Sequence, residues 1–292
     1  MKEIIKNIYC RVIVRILFYP FFVLFIISTI FFFLYSIPRR YISDLKPSDI
    51  GIYHENVKII TSDGIKLSGW FIPSKFKSDN TIIFLHGWSA NKADIFTHTY
   101  FLYQRYNLLY IDFRAMGESD GRFSSGGYIE IMDVKAAVDF LKKRGYKNFG
   151  LYGYSMGGFV ALFYAIRYDD IKFVIADSPY DNIYNALDSF FSVYKVFSKP
   201  LIWFMNIEYK IIYGRYLSEL SIQRNIEKIK VPVLFICGSD DDICYGDYIR
   251  DYGIRNPFIT TLILDGFKHN ESVYYKNYEN IIFDFVEKNF NI

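Results

Sequence analysis

Short apolar segments alternate with helix-length segments along most of this chain, and that alternation restricts its fold more than any other feature. The short segments have the length and composition of strands buried on both faces of a sheet. They are Thr81–Leu85, Leu108–Phe113, Phe149–Tyr152, Phe173–Ala176, Val233–Cys237 and Thr261–Leu264. Because parallel strands need long crossovers, usually helices, the pattern predicts an α/β fold with a mostly parallel sheet covered by helices on both faces.

Two further strand-like segments, Val57–Thr61 and Ile65–Pro73, come before this alternation and meet around Asp63-Gly64, which predicts an antiparallel hairpin. Apolar residues recur at helical spacing over Ile129–Arg144 and Ile281–Phe290. The chain is 52% hydrophobic and 20% aromatic, which excludes a disordered protein. We therefore expect one large domain over residues 56–292.

The segment from Ile16 to Ile37 carries no charged residue. As a helix with a rise of ~1.5 Å per residue it reaches about 33 Å, which is enough to cross a hydrocarbon core of ~30 Å. The apolar part of a cleavable signal peptide is shorter and precedes a small-residue cleavage site, whereas this segment ends in Ile37-Pro38-Arg39-Arg40. The sequence therefore predicts an uncleaved transmembrane helix over residues 16–37.

Basic residues flank this segment on both sides, four before it and three after it. They are Lys2, Lys6, Arg11 and Arg15, and then Arg39, Arg40 and Lys46. The small excess favours an N-terminus inside and a single-pass protein whose large domain lies on the outer face of the membrane. Residues 1–15 are then a basic N-terminal segment. Residues 38–55 contain Pro38, Pro47 and Gly51, which predicts a linker that holds the domain off the bilayer.

A candidate nucleophile lies in Gly153-Tyr154-Ser155-Met156-Gly157, between a predicted strand and the predicted helix Gly158–Arg167. In that context G-x-S-x-G presents a serine on a sharp strand-to-helix turn, and its glycines leave room for the bend. The alternative is a glycine-rich turn whose serine only caps the helix. The context favours Ser155 as the nucleophile.

A serine hydroxyl needs an adjacent imidazole to take its proton during attack. Among the four histidines, only His269 follows the last predicted strand, where a loop at the carboxyl edge of the sheet can return it to Ser155. We therefore predict His269 as the general base. His54 and His98 are expected at the surface, and His86 is expected to be structural.

The imidazole in turn needs a carboxylate that fixes its tautomer. Asp240, Asp241 and Asp242 all follow the strand Val233–Cys237 and lie between Ser155 and His269 in the chain. Asp241 is our choice among them, and its two neighbours remain alternatives.

Backbone N–H groups are expected to bind the oxyanion of the tetrahedral intermediate. Met156 directly follows the predicted nucleophile and supplies one of them. Trp88, in His86-Gly87-Trp88-Ser89 after the strand Thr81–Leu85, supplies the other.

Charge and cysteine content exclude other classes of site. The net charge of +3 arises from 34 basic and 31 acidic residues spread along the chain, so nucleic acid is not an expected partner. Cys10, Cys237 and Cys244 follow no metal or disulfide spacing, and we expect no metal. A Cys237–Cys244 pair would require the loop between them to fold back. The oligomeric state stays open.

Five motifs, taken together and in this order, resemble the α/β-hydrolase superfamily and, more narrowly, its serine-aminopeptidase and monoacylglycerol-lipase-like branch, which includes membrane-anchored members. The motifs are Leu85–Trp88, Asp112–Gly121, Gly153–Gly158, Gly238–Ile243 and Gly266–His269. The resemblance covers residues 53–290. It implies an eight-stranded sheet, a lid after the sixth strand, no cofactor, and hydrolysis of esters, thioesters or amides. It also favours Asp241, whereas Ala115 stands where the family usually has glycine.

The segment Tyr180–Leu217 is helical in pattern, rich in aromatic residues and inserted between two sheet strands. Inserted segments of this length are usually functional, often as active-site lids, so we predict a lid at about 180–217. The resulting hypothesis is a membrane-anchored serine hydrolase of carboxylic esters, whose substrate is a small molecule or a lipid, acylglycerols included. An acyltransferase or a catalytically silent, membrane-tethered binding module are the alternatives, and retention of Ser155, His269 and Asp241 argues against the silent module.

Overall fold

The computed structural model describes residues 2–244 and 246–291, and within these ranges the side chains of residues 2–10, 13, 17 and 246–248 are not described. Residues 1 and 292, which bound the predicted N-terminal segment and the predicted large domain, lie outside the described residues. The side chains of Lys2, Lys6 and Cys10 lie outside them as well.

Eight strands of the described residues form one sheet in the order β1-β2-β4-β3-β5-β6-β7-β8. They are β1 (Glu55–Ile60), β2 (Lys66–Ile72), β3 (Asn80–Leu85), β4 (Asn107–Ile111), β5 (Asn148–Tyr154), β6 (Phe173–Asp177), β7 (Val233–Gly238) and β8 (Ile259–Leu264). β2 is antiparallel to both of its neighbours, and all other pairs are parallel. The predicted fold class, a mostly parallel eight-stranded sheet flanked by helices, is confirmed, and each strand lies within two residues of its predicted bounds.

Helices cover both faces of this sheet. They are α1 (Lys2–Ser36), α2 (Lys92–Thr99), α3 (Ile131–Lys143), α4 (Met156–Arg167), α5 (Ile183–Phe191), α6 (Ser198–Tyr213), α7 (Gly246–Arg255) and α8 (Tyr278–Phe290). Side chains of β3 alternate between two cores, because successive residues of a strand point to opposite faces. Ile83 joins the core formed with α3 and α4, and Ile82 joins the core formed with α2 and α8.

The chain between β6 and β7 forms α5 and α6, with a short 3₁₀ helix at Ser192–Phe197 between them. We call residues 180–217 the insertion. Ile183, Leu187 and Phe191 of α5 are buried and recur at i, i+4 and i+8, so one face of this helix points to the protein interior.

The N-terminal helix α1 contains the whole predicted membrane segment except Ile37. Its part from Val14 to Ser36 is long and apolar enough to cross a membrane. Ser28, Phe32 and Ser36 are nevertheless buried and share one helical face, which packs against the rest of the protein. The C-terminal third of α1 is therefore part of the folded domain.

Residues 38–55, predicted as a linker, contact the folded domain. Arg40 donates hydrogen bonds to the carbonyl oxygens of Gly117, Ser119 and Gly121, and Ile52 is buried in the core. Five N–H donors in one rigid group allow a guanidinium to bind several carbonyls at once. This segment therefore ties α1 to the loop after β4.

Candidate active site

Ser155 lies on the tight turn between β5 and α4. Its backbone has φ +48° and ψ −114°, a region that residues with a side chain rarely adopt. A Cβ atom added to Gly157 would lie 2.0 Å from the carbonyl oxygen of Leu85, and one added to Gly153 would lie 2.2 Å from the backbone of Gly157. The glycines are thus required by close backbone packing, and this packing holds the serine in its strained conformation.

His269 connects Ser155 to Asp241. The hydroxyl of Ser155 lies 3.0 Å from His269 Nε2, and the carboxylate oxygens of Asp241 lie 2.9 and 3.0 Å from His269 Nδ1. A carboxylate only accepts, so Nδ1 carries the proton and Nε2 is free to accept from the serine. This arrangement lets His269 remove the proton of Ser155, which raises its nucleophilicity.

The three consecutive aspartates lie in different environments. Asp241 is buried, and its Oδ1 also accepts hydrogen bonds of 2.8 Å from the N–H groups of Ile243 and Cys244. Asp240 and Asp242 are exposed. The structure therefore brings Asp241, and neither of its neighbours, to His269.

The loop that holds Asp241 also brings Cys237 and Cys244 together. Their sulfur atoms and a carboxylate oxygen of Asp241 lie within 4.8 Å of one another, and both thiols are free and buried. The loop thus folds back as a Cys237–Cys244 pair would require. The oxygens of Asp241 are engaged by His269 and by two backbone N–H groups, so this carboxylate is committed within the protein.

The predicted oxyanion donors come from two segments, the start of α4 and the loop after β3. Met156 is the first residue of α4, and an N–H group in the first turn has no acceptor within its own helix. Trp88 follows Gly87, and a Cβ on Gly87 would lie 3.5 Å from the Cβ of Ser155. Both Gly87 and Trp88 line the cavity in front of the serine.

His86 and His98 have different positions. His86 is buried; it accepts a hydrogen bond from the N–H of Phe113 and donates one to the carbonyl of Gly87. Burial lowers its pKa, so His86 is neutral and structural, as expected. His98, expected only at the surface, is exposed and also lines the mouth of the cavity.

Asp177 supports the loop that carries His269. It ends β6, is fully buried, and accepts hydrogen bonds from Ser272 (2.6 Å) and Tyr278 (2.8 Å). Burial raises its pKa from 3.8 to about 6, against the effect of these two donors. The contact joins the end of β6 to the segment that follows His269.

The loop after β4 contains Ala115, which stands where the similar family usually has glycine. Ala115 has φ +64°, a conformation that glycine adopts without steric cost. Arg114, next to it, forms buried hydrogen bonds with Asp133 and a further ion pair with Asp63. These contacts hold the loop in place with alanine at that position.

The site opens into a cavity of about 660 Å³, a volume typical of small-molecule sites. Its walls come from the sheet edge, from the insertion and from α1, and most of them are apolar. Wall residues include Ser155 and His269 at one end, Leu187, Phe190, Met205 and Tyr209 from the insertion, and Phe32, Tyr35 and Ser36 from α1. The contact of α1 with this cavity was not among the expectations from the sequence.

This chain is similar in sequence to a known protein family and to several proteins. A family model described as the alpha/beta hydrolase fold matches residues 80–227. The uncharacterized protein YqkD of Bacillus subtilis is 33% identical over 185 residues, which cover 61% of this chain and 60% of that protein. An uncharacterized membrane protein of Saccharomyces cerevisiae is 26% identical over 254 residues, which cover 84% of each chain.

Among solved structures, the esterase Pf2001 of Pyrococcus furiosus superposes with a TM-score of 0.74 at 27% identity. The superposition covers 87% of this chain and 97% of that esterase.

Proposed function

This chain belongs to the α/β-hydrolase family, and we propose that it is a serine hydrolase that cleaves carboxylic esters through an acyl-enzyme on Ser155. The family and the esterase neighbour support a hydrolase with a small-molecule substrate. The observation that carries the finer proposal is the hydrogen-bonded chain from Ser155 through His269 to Asp241, at the end of an apolar cavity.

The reaction follows from this geometry. His269 Nε2 takes the hydroxyl proton as Ser155 Oγ attacks the ester carbonyl, and Asp241 stabilises the imidazolium that results. The N–H groups of Met156 and Trp88 bind the oxyanion. Collapse of the tetrahedral intermediate expels the alcohol, which receives the proton from His269. Water, activated by the same imidazole, then attacks the acyl-enzyme and releases the acid.

We propose that the bond cleaved is an ester, because the esterase Pf2001 is 27% identical to this chain and its superposition covers most of the chain. Thioesters and amides pass through the same tetrahedral intermediate, so a matched series with one acyl group and three leaving groups ranks them directly. Faster hydrolysis of the amide than of the ester would contradict the ester proposal.

The test of the nucleophile is covalent labelling with a fluorophosphonate, whose phosphorus is attacked by an activated serine with loss of fluoride. We expect labelling of the full-length protein and none of Ser155→Ala, because an unactivated hydroxyl does not react. Ser189→Ala is the matched control, since Ser189 lines the same cavity on α5. Labelling that persists in Ser155→Ala, or that is absent from the folded wild type, contradicts the proposal.

We also propose that α1 crosses the membrane once, with the large domain on the outer face. Support comes from the length and composition of Val14–Ser36 and from the relative in S. cerevisiae that is named a membrane protein. The direction is supported by the small excess of basic residues before the apolar segment 16–37 over those after it.

A further inference from the structure

The N-terminal helix packs lengthwise against the insertion. Phe21 contacts Trp203 and Phe204 of α6, and Tyr35, fourteen residues later, contacts Phe190 of α5. A rise of ~1.5 Å per residue separates Phe21 and Tyr35 by about 21 Å along the helix axis, about two thirds of the ~30 Å thickness of a hydrocarbon core. If α1 spans the bilayer, the insertion that packs along it therefore lies in the hydrocarbon core as well.

A polar contact fixes this packing in register. Glu208 of α6 accepts hydrogen bonds from Thr29 (2.6 Å) and Ser28 (3.5 Å), and the hydroxyl of Ser28 also lies 3.1 Å from the carbonyl of Leu201. Hydroxyl and carboxyl side chains in apolar helices usually mark contacts between helices. This cluster therefore identifies the face of α1 that binds α6.

The outer surface of the insertion suits a hydrocarbon environment. Large apolar side chains along it are exposed, among them Phe190, Val193, Val196, Phe197, Trp203 and Ile211. Exposed apolar patches of this extent mark sites of interaction with proteins or membranes. Phe190 and Trp203 themselves contact α1, so the patch is continuous with the membrane helix.

The cavity lies on the inner side of the same helices. Phe32, Tyr35 and Ser36 of α1 line it, and Tyr35 stacks on Trp88, whose N–H is the proposed oxyanion donor. Ser155 lines the same cavity. A site bounded by a membrane helix on one side and by a nucleophile on the other can accept a chain directly from the bilayer.

We propose that the substrate is a bilayer-resident acyl lipid whose chain enters between α1 and the insertion, so that α1 is a wall of the acyl-binding site as well as an anchor. This inference rests on the proposed function. It assigns to Phe32, Tyr35 and Ser36 a part in selecting long acyl chains.

The first test compares two esters with one leaving group in the full-length protein in phospholipid nanodiscs. 4-Methylumbelliferyl oleate partitions into the bilayer, whereas 4-methylumbelliferyl acetate reaches the site from water. In Ser36→Trp an indole fills the cavity from α1, and we expect the oleate-to-acetate ratio of kcat/KM to fall about tenfold or more. Leu34→Trp is the matched control, because Leu34 points away from the cavity on the same helix turn and is 64% exposed. Equal ratios in the two variants overturn the proposal.

The second test uses a native side chain, so it decides the proposal even if Ser36→Trp does not fold. Trp203 is half-exposed on α6, whereas Trp70 is buried. We expect nanodiscs of phospholipids brominated on their acyl chains to quench part of the tryptophan emission, and this part to be missing in Trp203→Phe. Emission that is the same in brominated and ordinary lipid would mean that the insertion lies outside the hydrocarbon, which overturns the proposal.

Failure of this inference and failure of the proposed function give different results. If the protein is not a serine hydrolase, acetate hydrolysis and fluorophosphonate labelling of Ser155 are both absent. If only the route of the substrate is wrong, both persist, while Trp203 is not quenched and Ser36→Trp changes neither ester more than the other.

Discussion

Asp241 differs in its environment from the two aspartates on either side of it. Its carboxylate is buried and receives hydrogen bonds from two backbone N–H groups and His269, whereas Asp240 and Asp242 are exposed. The difference comes from the turn after β7, which directs one side chain inward.

The residue-scale prediction concerns this carboxylate. In Asp241→Asn the amide can donate to Nδ1 and so favour the wrong tautomer of His269; we expect kcat for a short-chain ester to fall by about 10³–10⁴. Asp240→Asn removes the same charge one residue away and should leave kcat within about twofold. Steady-state kinetics with 4-methylumbelliferyl acetate measures both. An equal loss in the two variants would show that net charge, and not the contact with His269, is what matters.

Individual residues of the candidate site differ in how far the sequence could predict them. Ser155 and His269 could be proposed because the order of strands puts both at one edge of the sheet, where the structure brings them together. Asp241 was chosen with the help of the family resemblance, whereas its two neighbours stayed alternatives because no local pattern encodes which side chain the loop turns inward. His98 was expected only at the surface because α2 offers no signal that its end faces the cavity.

At the scale of elements, Asp177 joins the end of β6 to the segment between His269 and α8. Its donors are Ser272, just after the histidine, and Tyr278, the first residue of α8. This connection buries a carboxylate that has no cation within hydrogen-bond distance among the described residues.

The prediction at this scale is a pH dependence of stability. The pKa of Asp177 is raised from 3.8 to about 6, so the unfolded chain loses this proton at lower pH than the folded protein does. The free energy of unfolding should therefore fall as pH rises from about 4 to about 6, by roughly 3 kcal/mol from this group. In Asp177→Asn this fall should be absent. The difference in free energy of unfolding between the variant and the wild type should therefore favour the variant more at pH 7 than at pH 4.

Urea unfolding in detergent micelles at both pH values measures that difference. Asp265→Asn, an exposed aspartate beyond β8, is the control and should follow the wild-type pH profile. A profile of Asp177→Asn that parallels the wild type would contradict the assignment of this pH dependence to Asp177.

Strands β3 to β7 could be predicted closely because both of their faces are buried, which makes each a largely apolar segment with clear ends. The contacts of residues 38–55 with the folded domain could not be predicted, for a physical reason. Arg40 finds its acceptors on Gly117, Ser119 and Gly121, far away in the chain, and basic residues next to a membrane helix carry no local sign of such partners.

At the scale of the whole molecule, the proposed topology rests on a small difference in the number of basic residues on the two sides of the apolar segment. We expect protease added to sealed right-side-out vesicles to digest the domain, and protease added to inside-out vesicles to leave it intact. Replacing Lys2 and Lys6 by glutamine reverses the excess and should increase the protected fraction in right-side-out vesicles. Protection of the wild type in right-side-out vesicles would reverse the proposed topology.

The contribution of α1 to the cavity was missed because it depends on contacts between distant parts of the chain. Ser28 and Thr29 meet Glu208 across most of the domain sequence. A signal was present: two adjacent hydroxyl residues interrupt the apolar segment, and α6 carries a single acidic residue. Only the fold shows that these irregularities face each other.

The stacking of Tyr35 on Trp88 couples the membrane helix to the backbone beside Ser155. A transmembrane helix adapts to a thinner bilayer by tilting. Arg40, four residues after the end of α1, is hydrogen-bonded to the domain, so under the proposed membrane topology we expect a tilt of α1 to reach the contact between the two rings. If α1 crosses the membrane as proposed, we therefore expect the thickness of the surrounding lipid to affect the position of Trp88 next to Ser155.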